Sequence, residues 1–444
     1  MTKAKTNNDP VVVTLMVWLM RLVVGGVFVF SGFVKAIDPW GSYYKFNEYL
    51  LTLGWDNLLG QSLFAAFAVP IVELTLGLLL LIGAYRRMAP LLLLLLMLVM
   101  TPLTLWLALT DAVPDCGCFG DALVLSNWAT FGKNVALTAG LVFLLLLNKR
   151  VKGLYGPAVQ WLVTAATGVF AFALAYYGYF TQPLMDFRPY RVGTALSASS
   201  AGATNEDDYL FIYSKDGVEQ EFTIDSLPDE EDGWTFVNRR PVSRGVAPVS
   251  NKISHQLVVM DDGVDVGDEV LASGNRLMLF LFPDVQDVNI AHTFMINELD
   301  DYAHAHDAAV YGICSPTSKQ IEEWKDISMA DYPMLTADDS DLKMMARGNP
   351  AVVYIEDGII KWKRTLGSIS DDRLHDAKVT LATLSDDFNP SAILRSLCIS
   401  FSLVMLALLV FNRTHVVIRE LFFNKRAKEK KDESSEDNQN VEDE

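Results

Sequence analysis

Six long apolar blocks constrain this 444-residue chain more than any other feature. They run from Val11 to Val34, Leu63 to Gly83, Leu91 to Leu109, Trp128 to Leu147, Val159 to Phe180 and Ile393 to Val410. Each is about 18 to 24 residues long and poor in charge, the length a helix needs to cross a hydrocarbon core of roughly 30 Å. A hydrophobic fraction of 51% would be unremarkable if spread evenly, but its clustering predicts six transmembrane helices. The first block follows Lys3 and Lys5, is too long for a signal peptide and lacks a small-residue cleavage site, so it reads as an uncleaved anchor.

Orientation is read from basic residues, which gather in short cytoplasmic loops. Arg86 and Arg87 join the second and third blocks, and the run from Asn148 to Lys152 joins the fourth and fifth. Arg413, Arg419, Lys425, Arg426, Lys428, Lys430 and Lys431 follow the sixth. Both termini are therefore expected in the cytoplasm, with residues of about 182–389 and the loop between the third and fourth blocks outside it. The net charge of −18 comes mostly from that insertion and from the acidic tail, which argues against nucleic acid as a partner.

The loop, Asp111 to Asp121, reads DAVPDCGCFGD and holds Cys116 and Cys118, half of the four cysteines. Two thiols one glycine apart on the outer face suit redox chemistry, since disulfides persist there. Gly117 makes the necessary turn sterically available, and Pro114 and Gly120 tighten the loop around it. A bridge across so small a ring would be of the strained, oxidising kind.

Inside the blocks, charge is scarce and therefore informative. Arg21 lies at about mid-depth in the first block and wants a buried partner, and Glu73 in the second is expected to supply it as an intramembrane ion pair. That pair is either architectural or handles protons or substrate. Gly25, Gly26 and Gly32 allow close helix contact. Between these blocks Trp40, Tyr43, Tyr44, Tyr49 and Trp55 read as an amphipathic segment on the outer interface. Pro102, flanked by Thr101 and Thr104, predicts a kink just below the cysteine loop.

With these residues in view, the strings around Arg21 (LVVGGVFVFSGFVK), ELTLGLLLLIG and MTPLTLWLALTDAVPDCGCFGD resemble the DoxX and MauE group of bacterial multi-pass membrane proteins over roughly the first 150 residues. The resemblance implies an inner-membrane protein of the cell envelope with a four-helix layout similar to that of vitamin K epoxide reductase. It also implies a part in forming disulfides in exported proteins, with Cys116 and Cys118 as the catalytic redox pair. Those reductases space their cysteines by two residues and carry a second pair, whereas this loop spaces them by one and the sequence has no second outer pair. The implied partners are membrane lipid and an exported client or envelope redox protein; the electron acceptor, a quinone or another protein, and hence any cofactor, stays unnamed.

The outer insertion divides in two. Residues 183–250 read as a β-rich module whose YLFIYSKDGVEQEFTI forms a hairpin, and SRGVAPVSNKIS reads as a linker. Residues 254–385 alternate strand and helix and resemble a thioredoxin-type α/β domain of the peroxiredoxin and TlpA kind, with Asn349 and Pro350 at the place of that fold's proline loop. The strand ending at Phe282 is followed by PDVQDVN, so the dithiol of that family is missing. Cys314 and Cys398 read as small packed residues, and His304, His306 and Asp307 as a solvated helix end, so no metal ligands are assigned.

The expected architecture is thus an α-helical membrane bundle, a four-helix core over 10–150 plus helices at 157–181 and 391–412, bearing the β-rich module and the thioredoxin-like domain. A disordered cytoplasmic tail at 413–444, basic where it meets the lipid, completes it. Two functions compete: thiol-disulfide exchange through the CGC loop, or a non-enzymatic scaffold that displays a redox-inactive thioredoxin-like binding domain. A carrier built around Arg21 and Glu73 lacks the internal repeat such a fold requires.

Overall fold

The computed structural model describes residues 9–113, 115–147, 152–197, 209–215, 218–222, 235–241, 255–261, 263–315 and 318–442. Lys3, Lys5, Pro114, Lys149, Arg150, the hairpin turn at 216–217 and the linker at 243–254 lie outside them. The chain forms two compact units, residues 1–187 with 389–444, and residues 188–388.

In the first unit, α1 (Asp9–Ile37) leads into α2 (Pro39–Thr52), which begins where the Asp38 carboxylate accepts the Gly41 N–H at 3.1 Å. Then come α3 (Ser62–Ile82), α4 (Met88–Thr110), α5 (Asn127–Leu147) and α6 (Gln160–Phe180). With the helix from Pro390, six spans among the described residues are long and apolar enough to cross a membrane, and each overlaps one of the six blocks.

Glycine sets how closely α1 and α3 approach. A Cβ on Gly32 would fall on the backbone of Leu74, and one on Gly77 would come within 2.8 Å of the Val29 nitrogen. This seam also fixes the register. Gly25 meets Leu81 and Gly32 meets Leu74, so going up α1 means going down α3.

Pro102 sits within α4 without ending it. The Thr104 hydroxyl lies 2.9 Å from the Met100 carbonyl and 3.1 Å from that of Thr101 in the turn around the proline. It accepts in turn from Asn134 Nδ2 at 3.1 Å, which ties α4 to α5 in their buried half.

The second unit begins with β1 (Leu196–Ser197), followed by β2 (Tyr209–Lys215), β3 (Val218–Phe222) and β4 (Thr235–Pro241). β2 pairs antiparallel with both β3 and β4, so the hairpin expected there forms and gains a third strand. β5 (His255–Gln256), β6 (Met260–Asp261), β7 (Val264–Asp265) and α7 (Gly267–Ala272) lead to β8 (Arg276–Phe282).

After β8 come α8 (His292–Ala305), β9 (Ala309–Cys314), α9 (Ser318–Ser328), β10 (Met334–Thr336) and α10 (Asp339–Met345). β11 (Ala351–Glu356), β12 (Ile359–Thr365) and α11 (Asp371–Leu374) close the unit. The seven-stranded sheet runs β12-β11-β8-β9-β10-β6-β7, with β8, β9 and β10 parallel and β11 antiparallel to its neighbours. Alternation along β8 sends Met278, Phe280 and Phe282 into one core with α8, α9 and α11, and Leu277, Leu279 and Leu281 into another with α7 and α10. The result is a mixed sheet covered by helices on both faces.

The last element, α12, runs unbroken from Pro390 to Glu442 and returns to the first unit. It packs on α6, where Phe401 stacks on Phe170 at 4.3 Å and the Asn412 side chain accepts the Gly156 N–H at 2.9 Å. The tail expected to be disordered is helical as far as Glu442. Its Glu, Lys, Arg and Gln are strong helix formers, and a helix already nucleated in the preceding apolar turns extends through them at little cost.

Candidate functional site

The loop between α4 and α5 is built from short tethers. Asp111, at φ +46°, ends α4, and Asn127 at the start of α5 donates to both Asp111 Oδ1 and the Val113 carbonyl at 3.1 Å. The two ends of the loop are thereby joined. Within it, Asp115 Oδ1 accepts the Gly117 N–H at 2.7 Å, and Gly117 takes a φ of +62°. Only glycine adopts that angle freely, and a Cβ there would also strike the Lys45 side chain at 2.9 Å.

Both cysteine carbonyls are pinned by hydroxyls from other helices. Tyr49 on α2 donates to the Cys116 carbonyl at 2.6 Å, and Ser31 on α1 lies 2.7 Å from that of Cys118. Lys45 reaches Asp115 at 3.3 Å. Ser31 precedes the end of α1 by six residues, so the loop dips about 9 Å below that end. Irregular backbone at such depth is tolerated because it is buried in protein.

Held this way, the sulfurs of Cys116 and Cys118 sit 2.7 Å apart as free thiols. Cys116 is buried under α2, and Cys118 is partly exposed. The Cys118 thiol is drawn down to about 6, first by the hydrogen bond from Cys116 and then by the ammonium groups of Lys133 and Lys35. Cys116, which keeps the shared proton, is pushed up by that same bond and by burial. Once one proton leaves, Cys118 is the sulfur that carries the charge.

Beside Cys118 lies a cavity of about 30 Å³, lined on one side by Ser31, Lys35, Glu73, Lys133 and Asn134 and on the other by apolar side chains of α1, α4 and α5. It has room for one or two water molecules and no space for a quinone ring. Lys35 Nζ donates to both oxygens of Glu73, at 3.0 and 2.9 Å. Ser31 Oγ is 2.9 Å from Glu73 Oε2 as well as 2.7 Å from the Cys118 carbonyl. One hydroxyl has one proton, so it serves one of these acceptors at a time.

The expected Arg21–Glu73 pair is not the one formed: Glu73 pairs with Lys35. The α1–α3 register puts Glu73 level with Ser31 and Lys35, while Arg21 lies level with Gly83, nearly three helical turns from Glu73. The Arg21 guanidinium is fully buried there, 3.5 Å from the Lys152 carbonyl and 5.0 Å above the Trp18 ring. Lys35, Ser31, Lys45 and Lys133 were not assigned to the site by sequence reasoning, and Tyr49 was read as an interface aromatic. The glycine spacing along α1, read as a register, would have found the first two.

In the second unit, the Asn349–Pro350 peptide is cis, and the Asn349 amide donates to the Asp284 carbonyl at 2.5 Å in the loop after β8. That loop has no cysteine. Cys314 is fully buried in β9 and burial pushes its thiol up to about 11, so it is packed rather than reactive. Cys398 lies partly buried on α12. His304 and His306 bond to Asp300 and Tyr302 within their own helix end. Among the described residues, Glu298, Asp371 and His375 bring three ligand atoms within 4.8 Å on a mostly exposed surface, with His375 Nε2 already 3.3 Å from Glu298.

Six spans and a polar site sunk among them define a multi-pass membrane protein. Residues 13–147, which run from the second turn of α1 to the end of α5 and include every residue of the cysteine site, match the family described as methylamine utilisation protein MauE. Residues 208–242, covering β2 to β4, match a family described only as a domain of unknown function. No curated protein and no solved structure matches the chain.

Proposed function

We propose that this protein carries out thiol-disulfide exchange on exported proteins, through the Cys116–Cys118 pair facing out of a bacterial inner membrane. One observation carries the reading: two adjacent free thiols, one buried and one partly exposed, with lysines placed beside the exposed one. Cys118 as thiolate attacks one sulfur of a partner disulfide, a new S–S bond forms and the partner's second sulfur leaves as thiolate. Cys116 then gives its proton to a leaving sulfur and attacks Cys118, closing the loop disulfide and releasing the partner. Two electrons pass to the partner, and the reverse sequence oxidises a client dithiol. A quinone acceptor would have to meet Cys118 from outside the water-sized cavity.

Mixed-disulfide capture tests this. With Cys116→Ser, the attacking sulfur stays and its resolving partner is gone, so a disulfide-linked adduct should accumulate on Cys118. With Cys118→Ser the buried Cys116 should capture little. Membranes in which neither variant traps an adduct, and in which the parent pair ignores mild reductant, would defeat the proposal.

A second reading has its own support. The sheet order and the Asn349 clasp on the loop after β8 are compatible with a thioredoxin-like domain, and that loop has no sulfur. Such a domain would bind an exported segment without exchanging electrons with it. If the cysteine variants trap nothing while the chain still retains an exported protein on affinity capture, the scaffold reading stands instead.

A further inference from the structure

We propose that Lys35 and Glu73 are positioning residues that set the reactivity of Cys118 in opposite senses, the ammonium holding the sulfur as thiolate and the carboxylate limiting that hold. The inference rests on the exchange reading and specifies how its site is tuned.

A buried ion pair between neighbouring helices is ordinarily architecture. Here the pair is also joined to the loop. Both Glu73 oxygens accept from Lys35, and Ser31 stands between Glu73 and the Cys118 carbonyl. All four residues face one water-sized cavity, so little solvent screens the charges.

The polar and charged groups around Cys118 are few. Ser31 and Lys35 come from α1, Glu73 from α3, Lys133 and Asn134 from α5, and Cys116 from the loop. From α4 only Leu96, Met97 and Met100 line the cavity, and Lys45, Tyr49 and Asp115 lie on the Cys116 side. With Cys118 as thiolate, two ammonium groups face one thiolate and one carboxylate, and the cavity is neutral. When the disulfide closes, the thiolate charge departs on the partner's sulfur and Glu73 is the one remaining counter-charge for both lysines. Removing Glu73 therefore favours the reduced thiolate form, and removing Lys35 disfavours it.

The test is the pH profile of iodoacetamide alkylation of the reduced full chain in lipid nanodiscs, with Cys314→Ser and Cys398→Ser so that the loop pair reports alone. Lys35→Met should move the inflection up by about one pH unit, about tenfold less thiolate at a given acidic pH, and Glu73→Gln should move it down by a similar amount. Lys35→Arg should restore the parent profile. A pair that is only architecture would shift both single variants the same way or leave both unmoved, and either result overturns the proposal. Where a lone buried charge prevents folding, Glu73→Asp withdraws the carboxylate from Lys35 by one methylene and should also lower the inflection; an unmoved inflection there overturns it too. Alkylation needs no partner protein. Failed capture with opposite shifts defeats the exchange reading alone, and successful capture with unmoved profiles defeats this inference alone.

Discussion

Two loops in this protein are held by comparable side-chain tethers, and they differ in what they hold. The loop after α4 is fixed by Tyr49, Ser31 and Asn127 and presents two sulfurs beside two lysines. The loop after β8 is clasped by the Asn349 amide and exposes Asp284 and Gln286 while Val285 packs into the core, and it holds no cysteine. Rigid loop geometry is thus common to both, and reactivity follows from sulfur placed in a field of positive charge. The contrast between the two loops is thus one of side-chain chemistry.

The largest way to break that contrast is at the sulfurs. Cys118→Ser should leave little of the adduct that Cys116→Ser accumulates, whereas changes at the β8 loop in the Cys116→Ser background should leave it intact, as scored by non-reducing electrophoresis. Next in size is Lys35→Met, which strands a buried carboxylate and should cost about 3–5 kcal/mol of stability, most of it recovered in the Lys35→Met/Glu73→Gln double variant. Thermal unfolding in nanodiscs measures both.

The pH dependence of reduced protein sharpens the comparison further. The Cys118 thiol lies at about 6 in the fold against an ordinary value of 9.0, so folding is favoured by its thiolate. For a depressed acid, that stabilisation is fully present above the ordinary value and is lost as pH falls through the folded one. Reduced protein should therefore lose stability relative to the oxidised form as pH falls from about 9 to about 6, and Cys118→Ser, which has no thiolate there, should lack that loss over the same range. The smallest effects are expected at the tethers. Tyr49→Phe and Asn349→Ala should each cost about 1 kcal/mol, the first altering Cys118 alkylation and the second leaving it unchanged.

The spans were legible because length and apolarity alone decide them. So was the position of the cysteine loop, which lies between two spans. Depth was not legible. Glu73 was matched to Arg21 because both lie far from a helix end, but helix pairing obeys the register, and that is set by where Gly32 and Gly77 let the backbones touch. Lys35 lies near the end of its span, and it is a site residue because the cysteine loop sinks to meet it. Tyr49 read as an interface aromatic, although with Lys45, four residues earlier on α2, it shares the face that grips the loop. The strand and helix alternation of the second unit was visible throughout. The helical course of the tail was hidden by a composition that suits both solvated coil and helix.

The two hydroxyl tethers on the cysteine carbonyls have a mechanical consequence. With the main chain anchored on either side of Gly117, closing a sulfur–sulfur bond would need side-chain torsion alone, and the loop would keep its path. Such a closure would give distant parts of the molecule no lever arm to follow, and a partner would have to touch the sulfur itself.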